Sequence, residues 1–264
     1  MRNVLLAALL SMFSAIAARA ANEAGDEYAN IHTVAVVSAL GSDITMQTYG
    51  ATVFDNALYM LHANWSPDAL VIQQIKAALG GRFTIGNAVD PQAFANIAPG
   101  ALGDMGSALR QRVLAQPKAN GVDAYVVVVP DTVTLMGLSW RGLQVTRNLA
   151  LFGRGGTSVN AYYMVEVIDA VTGDRIDYGT ARYPASGYLT GYSQPLEFCA
   201  NAMWADSAAQ LTDEQQTMIQ QEMTYLIGKS AAYALAGAKL ISDTEAAVLS
   251  QSAAPVPNTT CRML

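Results

Sequence analysis

Residues 41–45, Gly41-Ser42-Asp43-Ile44-Thr45, set a hydroxyl beside a carboxylate directly after an apolar run, where a strand-to-loop turn could expose a nucleophile. A serine attacks only when a base takes its proton, and the usual base is a histidine oriented by a carboxylate. The histidines of this chain are His32 and His62, and neither lies at a motif spacing from Ser42. A second candidate serine is Ser193, in Gly191-Tyr192-Ser193. The segment Gly137-Leu138-Ser139-Trp140-Arg141-Gly142 misses Gly-x-Ser-x-Gly by one residue, so it is no nucleophile elbow. Ser42 therefore reads as a turn serine. Hydrolysis of an ester or peptide, with Ser42, Asp43 and Ser193 as its residues, stands as the alternative.

Other chemistries find less to build on. There is no His-Glu-x-x-His and no paired Cys-x-x-Cys, so no metal centre is expected. Gly153-Arg154-Gly155-Gly156 could cradle an anion with its amides, but it lacks the lysine and the Ser/Thr of a P-loop and reads as a turn. Asp123, Asp131, Glu166 and Asp169 fall within or at the ends of expected strands, and their spacing does not bring any two together. The expectation is a chain without catalytic residues or cofactor. What remains is binding: Trp140, Arg141, Arg147, Phe152 and Arg154 gather aromatic and arginine side chains, the types enriched at interface hot spots, in residues 132–156.

The elements that must position these residues follow from periodicity. Residues 33–40 are β-branched, apolar and closed by Gly41, as a buried strand requires. Residues 44–49 and 51–61 read as a short meander. Ser66-Pro67-Asp68 starts a helix: serine caps, proline suits the first helical position, and aspartate suits the positive dipole end. Leu70, Val71, Ile75 and Leu79 then recur at helical spacing up to Gly80-Gly81. A short strand at 83–85 and a helix at 104–115 precede Ala124-Tyr125-Val126-Val127-Val128-Val129, an unbroken run suited to a central strand covered on both faces. Residues 132–152 alternate with glycines at 137 and 142 and read as a two-stranded excursion. Residues 159–168 and 175–183, joined by Thr172-Gly173-Asp174, form the clearest hairpin. Thr212 and Gln215 are spaced as a capping box before a long stripe from Ile219 to Leu235, in which Gly228 and Gly237 could bend or divide the helix. The fold class is α+β: a mixed sheet with helices packed on it, a β-hairpin excursion and a long carboxy-terminal helical segment. Residues 21–241 are taken as one domain and 242–264, with little periodicity, as a partly disordered tail.

The amino terminus sets the compartment. Arg2, an apolar run over 4–17 and Ala18-Arg19-Ala20 have the form of a secretory signal peptide cut after Ala20, and the run is too short to span a bilayer. The first cysteine is Cys199, so no lipid anchor and no transmembrane segment is expected in the mature chain. Losing Arg2 and Arg19 moves the net charge from −6 to −8, and no Lys/Arg cluster occurs; nucleic acid is excluded as a partner. In an oxidising compartment Cys199 and Cys261 can pair and pin the tail beyond Pro255 and Pro257; two free thiols are the alternative.

Two resemblances complete the reading. Gly41-Ser42-Asp43 resembles the nucleophile block of GDSL-type esterases with Ser and Asp transposed; that family also needs a carboxy-terminal histidine, which this chain lacks. Residues 33–183 resemble, in order, the opening apolar strand, the helix at 66–79, a strand entry at Gly121-Val122-Asp123-Ala124-Tyr125-Val126, and the Val167-Ile168-Asp169-Ala170-Val171-Thr172-Gly173 turn of an envelope α/β domain. That domain is shared by curli-secretion lipoproteins, penicillin-binding-protein activator lipoproteins and the amino-terminal domain of the Tol translocation protein. The resemblance implies a periplasmic or secreted interaction or assembly module that binds an envelope protein and does not catalyse.

Overall fold

The computed structural model describes residues 26–50, 54, 56–87, 89–94, 106–117, 121–135, 138–148, 156–184, 192–193, 196–199 and 204–252. In chain order the elements are β1 (Thr33–Ser38), β2 (Asp43–Tyr49), β3 (Ala57–His62), α1 (Pro67–Leu79), β4 (Thr84–Ile85), α2 (Gly106–Leu114), β5 (Ala124–Pro130), β6 (Thr132–Leu135), β7 (Leu138–Asn148), β8 (Gly156–Asp169), β9 (Arg175–Thr180), β10 (Tyr183–Pro184), β11 (Tyr192–Ser193), β12 (Leu196–Cys199), α3 (Asp213–Gly237) and α4 (Asp243–Ser252).

The α+β class expected from the sequence is the fold observed. The main sheet runs β3-β2-β7-β8-β5-β1-β4, with β6 on β7 and both β9 and β12 on β8. It is mixed: β1 lies parallel to β4 and β5, and β2 parallel to β7, whereas β8 runs antiparallel to β5 and β7. Strand β8 is long enough to serve two half-sheets. Residues 156–162 pair with β7, and residues 163–169 pair with β5. Between Pro130 of β5 and Gly142 of β7 the two neighbours of β8 part company, and the sheet opens there.

Period-2 alternation distributes the core. Val34 and Val36 of β1 and Ala124, Val126 and Val128 of β5 face the large cluster with α1, α3 and α4. Ala35, Val37, Tyr125, Val127 and Val129 face a smaller one with Phe94, Leu109 and Val113, the last two from α2. Both faces of β5 are thus covered, which is why its run carries no polar break. Ser66 accepts from the Ala69 N–H, and Pro67 and Asp68 open α1 as their types dictate. The Thr212–Gln215 capping box is present, and α3 runs through Gly228 unbroken to Gly237.

Three features depart from the sequence reading. Of the excursion, only β6 and residues 138–141 stand off the sheet; from Gly142 on, β7 is a central strand between β2 and β8. The change of course falls on Gly142, whose φ of +65° suits glycine. Residues 243–252, expected to lack periodicity, form α4, which ties back through Lys229 Nζ to the Ser250 carbonyl (2.8 Å) and Ser250 Oγ to the Lys229 carbonyl (2.9 Å). Strand β12 was not anticipated; it adds Leu196–Cys199 to the β8 edge.

Candidate functional site

A cleft of about 280 Å³ lies where the sheet opens, lined by Ser38, Leu40, Gly41, Asp43, Asp68, Gln92 and Arg141 among others. It sits at the carboxyl ends of the parallel strands β1 and β5, the position at which open α/β sheets present ligands because neighbouring connections diverge. The chain makes it from four local decisions. Strand β1 ends at Ser38, and residues 39–42 carry the chain across to β2. Helix α1 begins beside this loop and aims Asp68 at it. The carboxylate accepts from Ser38 Oγ and from the Leu40 (3.0 Å) and Gly41 (3.2 Å) N–H groups, which pins the loop. The Ala39 N–H donates to the Val128 carbonyl and fixes the loop to β5. Strand β5 then ends at Pro130, and the chain returns through β6 and β7 to deliver Arg141.

Arg141 is held in place by its surroundings. Its guanidinium donates to Thr132 Oγ1 (3.3 Å) across the hairpin, and Asp131 acts on it electrostatically. Burial lowers the guanidinium pKa, with Asp131 opposing. Burial raises the Asp131 carboxyl above its ordinary value, against the Thr132 N–H and Arg141, which pull it down. The Asp131 backbone joins the half-sheets: its N–H donates to the Tyr162 carbonyl (3.0 Å), and its own carbonyl accepts from the Gly142 N–H (3.1 Å).

Of the five residues read as a binding group, the three described ones do not share one patch. Arg141 lines the cleft, and its neighbour Trp140 is half-buried with its ring edge-on to Tyr49 (centroids 6.1 Å apart). Arg147 sits six residues further along β7, about 20 Å away at the rise of a strand, and pairs with Asp206 at 3.6 Å. Phe152 and Arg154 lie outside the described residues. Cys199 closes β12 opposite Thr157, but its side chain and Cys261 are outside them too, so the disulfide expectation falls there. Ser193 is placed only as part of β11.

The structure gathers one constellation that motif spacing did not suggest. The antiparallel register of β2 and β3 sets Asp43 opposite His62, at the cleft rim. His62 Nδ1 is 2.9 Å from Asp43 Oδ1 and 3.1 Å from Ser42 Oγ. A relay uses both ring nitrogens, one for the hydroxyl and the other for the carboxylate. Here one nitrogen meets both partners, and the His62 and Asp43 side chains are 77% and 61% exposed. The signal that could have found this trio is the Asn56-Ala57 end of the β2–β3 hairpin, whose register decides which residues meet.

The remaining candidate carboxylates are engaged in the fold. Asp123 accepts from the His32 and Thr33 N–H groups (2.8 Å each), Asp169 from those of Val171 and Thr172, and Glu166 pairs with Arg175 (3.5 Å). Among the described residues no three His, Cys, Asp or Glu side chains are grouped to hold a metal ion, and no helix is long and apolar enough to cross a membrane. Comparison with known protein families, with curated proteins and with solved structures gave no match.

Proposed function

We propose that this chain is an exported, non-enzymatic binding module of a bacterial cell envelope, which docks a protein partner on the β6–β7 hairpin and the cleft at its base. The observation that carries the reading is the position of Arg141. The β6–β7 hairpin brings this arginine back to the mouth of a pre-formed cleft. An arginine at the edge of a concave surface has the character of an interface anchor. The signal-peptide form of residues 1–20 and the order of elements that resembles envelope α/β domains both support an envelope setting.

A photo-reactive residue placed at Ser139, exposed on the hairpin, tests this in cells of the protein's own host. The expected result is a crosslink to one envelope protein, lost when Arg141→Ala is added and not reproduced from Glu214, exposed at the start of α3. Trp140 is unsuited to the test because its ring packs on Tyr49. Crosslinks that are equal from both positions would remove the hairpin as the docking surface.

Hydrolysis is the second reading, favoured by the meeting of Ser42, Asp43 and His62. The shared Nδ1 speaks against it, because a relay needs the hydroxyl on one ring nitrogen and the carboxylate on the other, and here both meet the same nitrogen. A serine-reactive phosphonate is expected to leave Ser42 unlabelled; stoichiometric labelling that is lost in His62→Ala would replace the binding reading with the catalytic one.

A further inference from the structure

The sheet ends on one side at β3, and among the described residues this strand pairs with β2 alone. Natural edge strands are blunted by charged side chains, proline or a bulge, because their outer N–H and C=O groups otherwise pair with another chain. Strand β3 carries none of these. Its register with β2 runs unbroken from Asp43↔His62 to Thr48↔Ala57, and residues 56–66 contain no Lys, Arg, Asp, Glu or Pro. The phase of its outer groups is fixed as well. The Ala63 N–H donates to the Ser42 carbonyl (2.8 Å), one step past the Asp43–His62 pair in the same register. Alternation then points the N–H and C=O of Leu61, Tyr59 and Ala57 at β2 and turns those of His62, Met60 and Leu58 outward. We infer that two copies of this chain pair through β3, antiparallel and related by a two-fold axis, so that the sheet continues from one copy into the next.

The outward-turned residues also carry the exposed side chains: Leu58 is 64% and Met60 47% exposed, and Phe54, just before the strand, is 93% exposed. The opposite face is closed by the chain itself, where Tyr59 lies edge-on to Trp204 and donates to the Ala205 carbonyl (2.7 Å). Backbone bonds let any extended segment add to an edge, and side chains select which one. Selection here is for an uncharged, apolar strand, and β3 is itself such a strand. In the two-fold pairing centred on Met60, outward residues meet outward residues: Met60 faces its own copy, and Leu58 faces His62 of the second copy. No like charges oppose each other across that pair, and a strand without carboxylates is where two copies of an acidic chain repel least. An isologous dimer of this kind is closed and leaves no further copy to add at the same edge. A contact of one short strand per copy falls under the about 1,200 Å² of standard interfaces, so a dissociation constant on the order of 10 μM is expected.

The test uses the purified mature chain and no partner, so its outcome is separate from that of the hairpin crosslink. Sedimentation equilibrium between about 1 μM and 1 mM should show monomer and dimer in exchange. Met60→Lys sets two ammonium groups face to face at the two-fold axis and should weaken the dimer by about tenfold or more. Val171→Lys, at an apolar turn position that is 75% exposed, should leave it unchanged, with circular dichroism the same for both variants. Residue-resolved amide exchange of the wild type gives an independent readout. The Leu58, Met60 and His62 amides should slow by about fivefold or more from the dilute to the concentrated sample, ahead of Tyr59 and Leu61, which already bond to β2. A chain that stays monomeric at about 1 mM overturns the inference and leaves the edge to a strand of another protein. A dimer that Met60→Lys does not weaken overturns it too, as does one in which those three amides slow no more than their neighbours.

Discussion

Single residues in this chain do one of two things, and the distinction was only partly readable in advance. Asp123 was a candidate carboxylate by position; its oxygen instead takes the His32 and Thr33 N–H groups, which hold its carboxyl below the usual carboxylate range. A depressed folded pKa contributes stability that is fully present above the unfolded value, about 3.9, and is lost as pH falls through the folded value. Urea titrations of wild type and Asp123→Asn should therefore differ near neutrality and converge in acid; a gap that is constant with pH would show that the charge is irrelevant. Gly179 makes a sharper case. A methyl group there would strike the Ala234 carbonyl oxygen and stand 2.5 Å from the Ala238 amide, where β9 touches the end of α3 at Gly237. Gly179→Ala is expected to destabilise by about 3 kcal/mol, through overpacking against backbone that cannot yield, and a shift in urea midpoint measures it. Nothing local in Asp177-Tyr178-Gly179-Thr180 announced this contact, which depends on a helix more than fifty residues away. Arg141 was legible as a residue type, but not as part of a cleft, because its place depends on where β5 and β7 separate.

Elements were the most legible scale, for a physical reason: alternation and capping act within a few residues. The unbroken run of β5, the caps of α1 and α3 and the Thr172-Gly173-Asp174 turn all appear where local chemistry puts them. Thr212→Ala removes the hydroxyl that accepts from the Gln215 N–H and should cost about 1 kcal/mol, with an unchanged denaturant slope; no loss would mean that the box is not formed in solution. The same grammar was present and unread at Ser242-Asp243-Thr244-Glu245. There Ser242 and Glu245 bond reciprocally at the start of α4, and Glu245 also pairs with Arg82 after α1. Ser242→Ala should have a similar cost of about 1 kcal/mol by the same measurement. Strand β12 is not legible because four residues carry too little periodicity, and the reach of the excursion is not legible because one strand changes role at Gly142.

At the scale of the molecule, one long strand decides the architecture. Because β8 pairs first with β7 and then with β5, the sheet opens between them, and the loop after β1, the start of α1 and the base of the β6–β7 hairpin meet at the opening. Pairing over such distances is set by the whole core and leaves no local pattern in the sequence. The guanidinium of Arg141 bonds to Thr132 Oγ1, on an exposed residue. Arg141→Ala should shift global stability by less than about 1 kcal/mol. The most direct test of the central claim joins that stability measurement to crosslinking from Ser139 in the host envelope, with wild type and Arg141→Ala side by side. One envelope partner is expected with wild type and none with the variant, at equal folded abundance. The same partner, recovered equally from both, would contradict it.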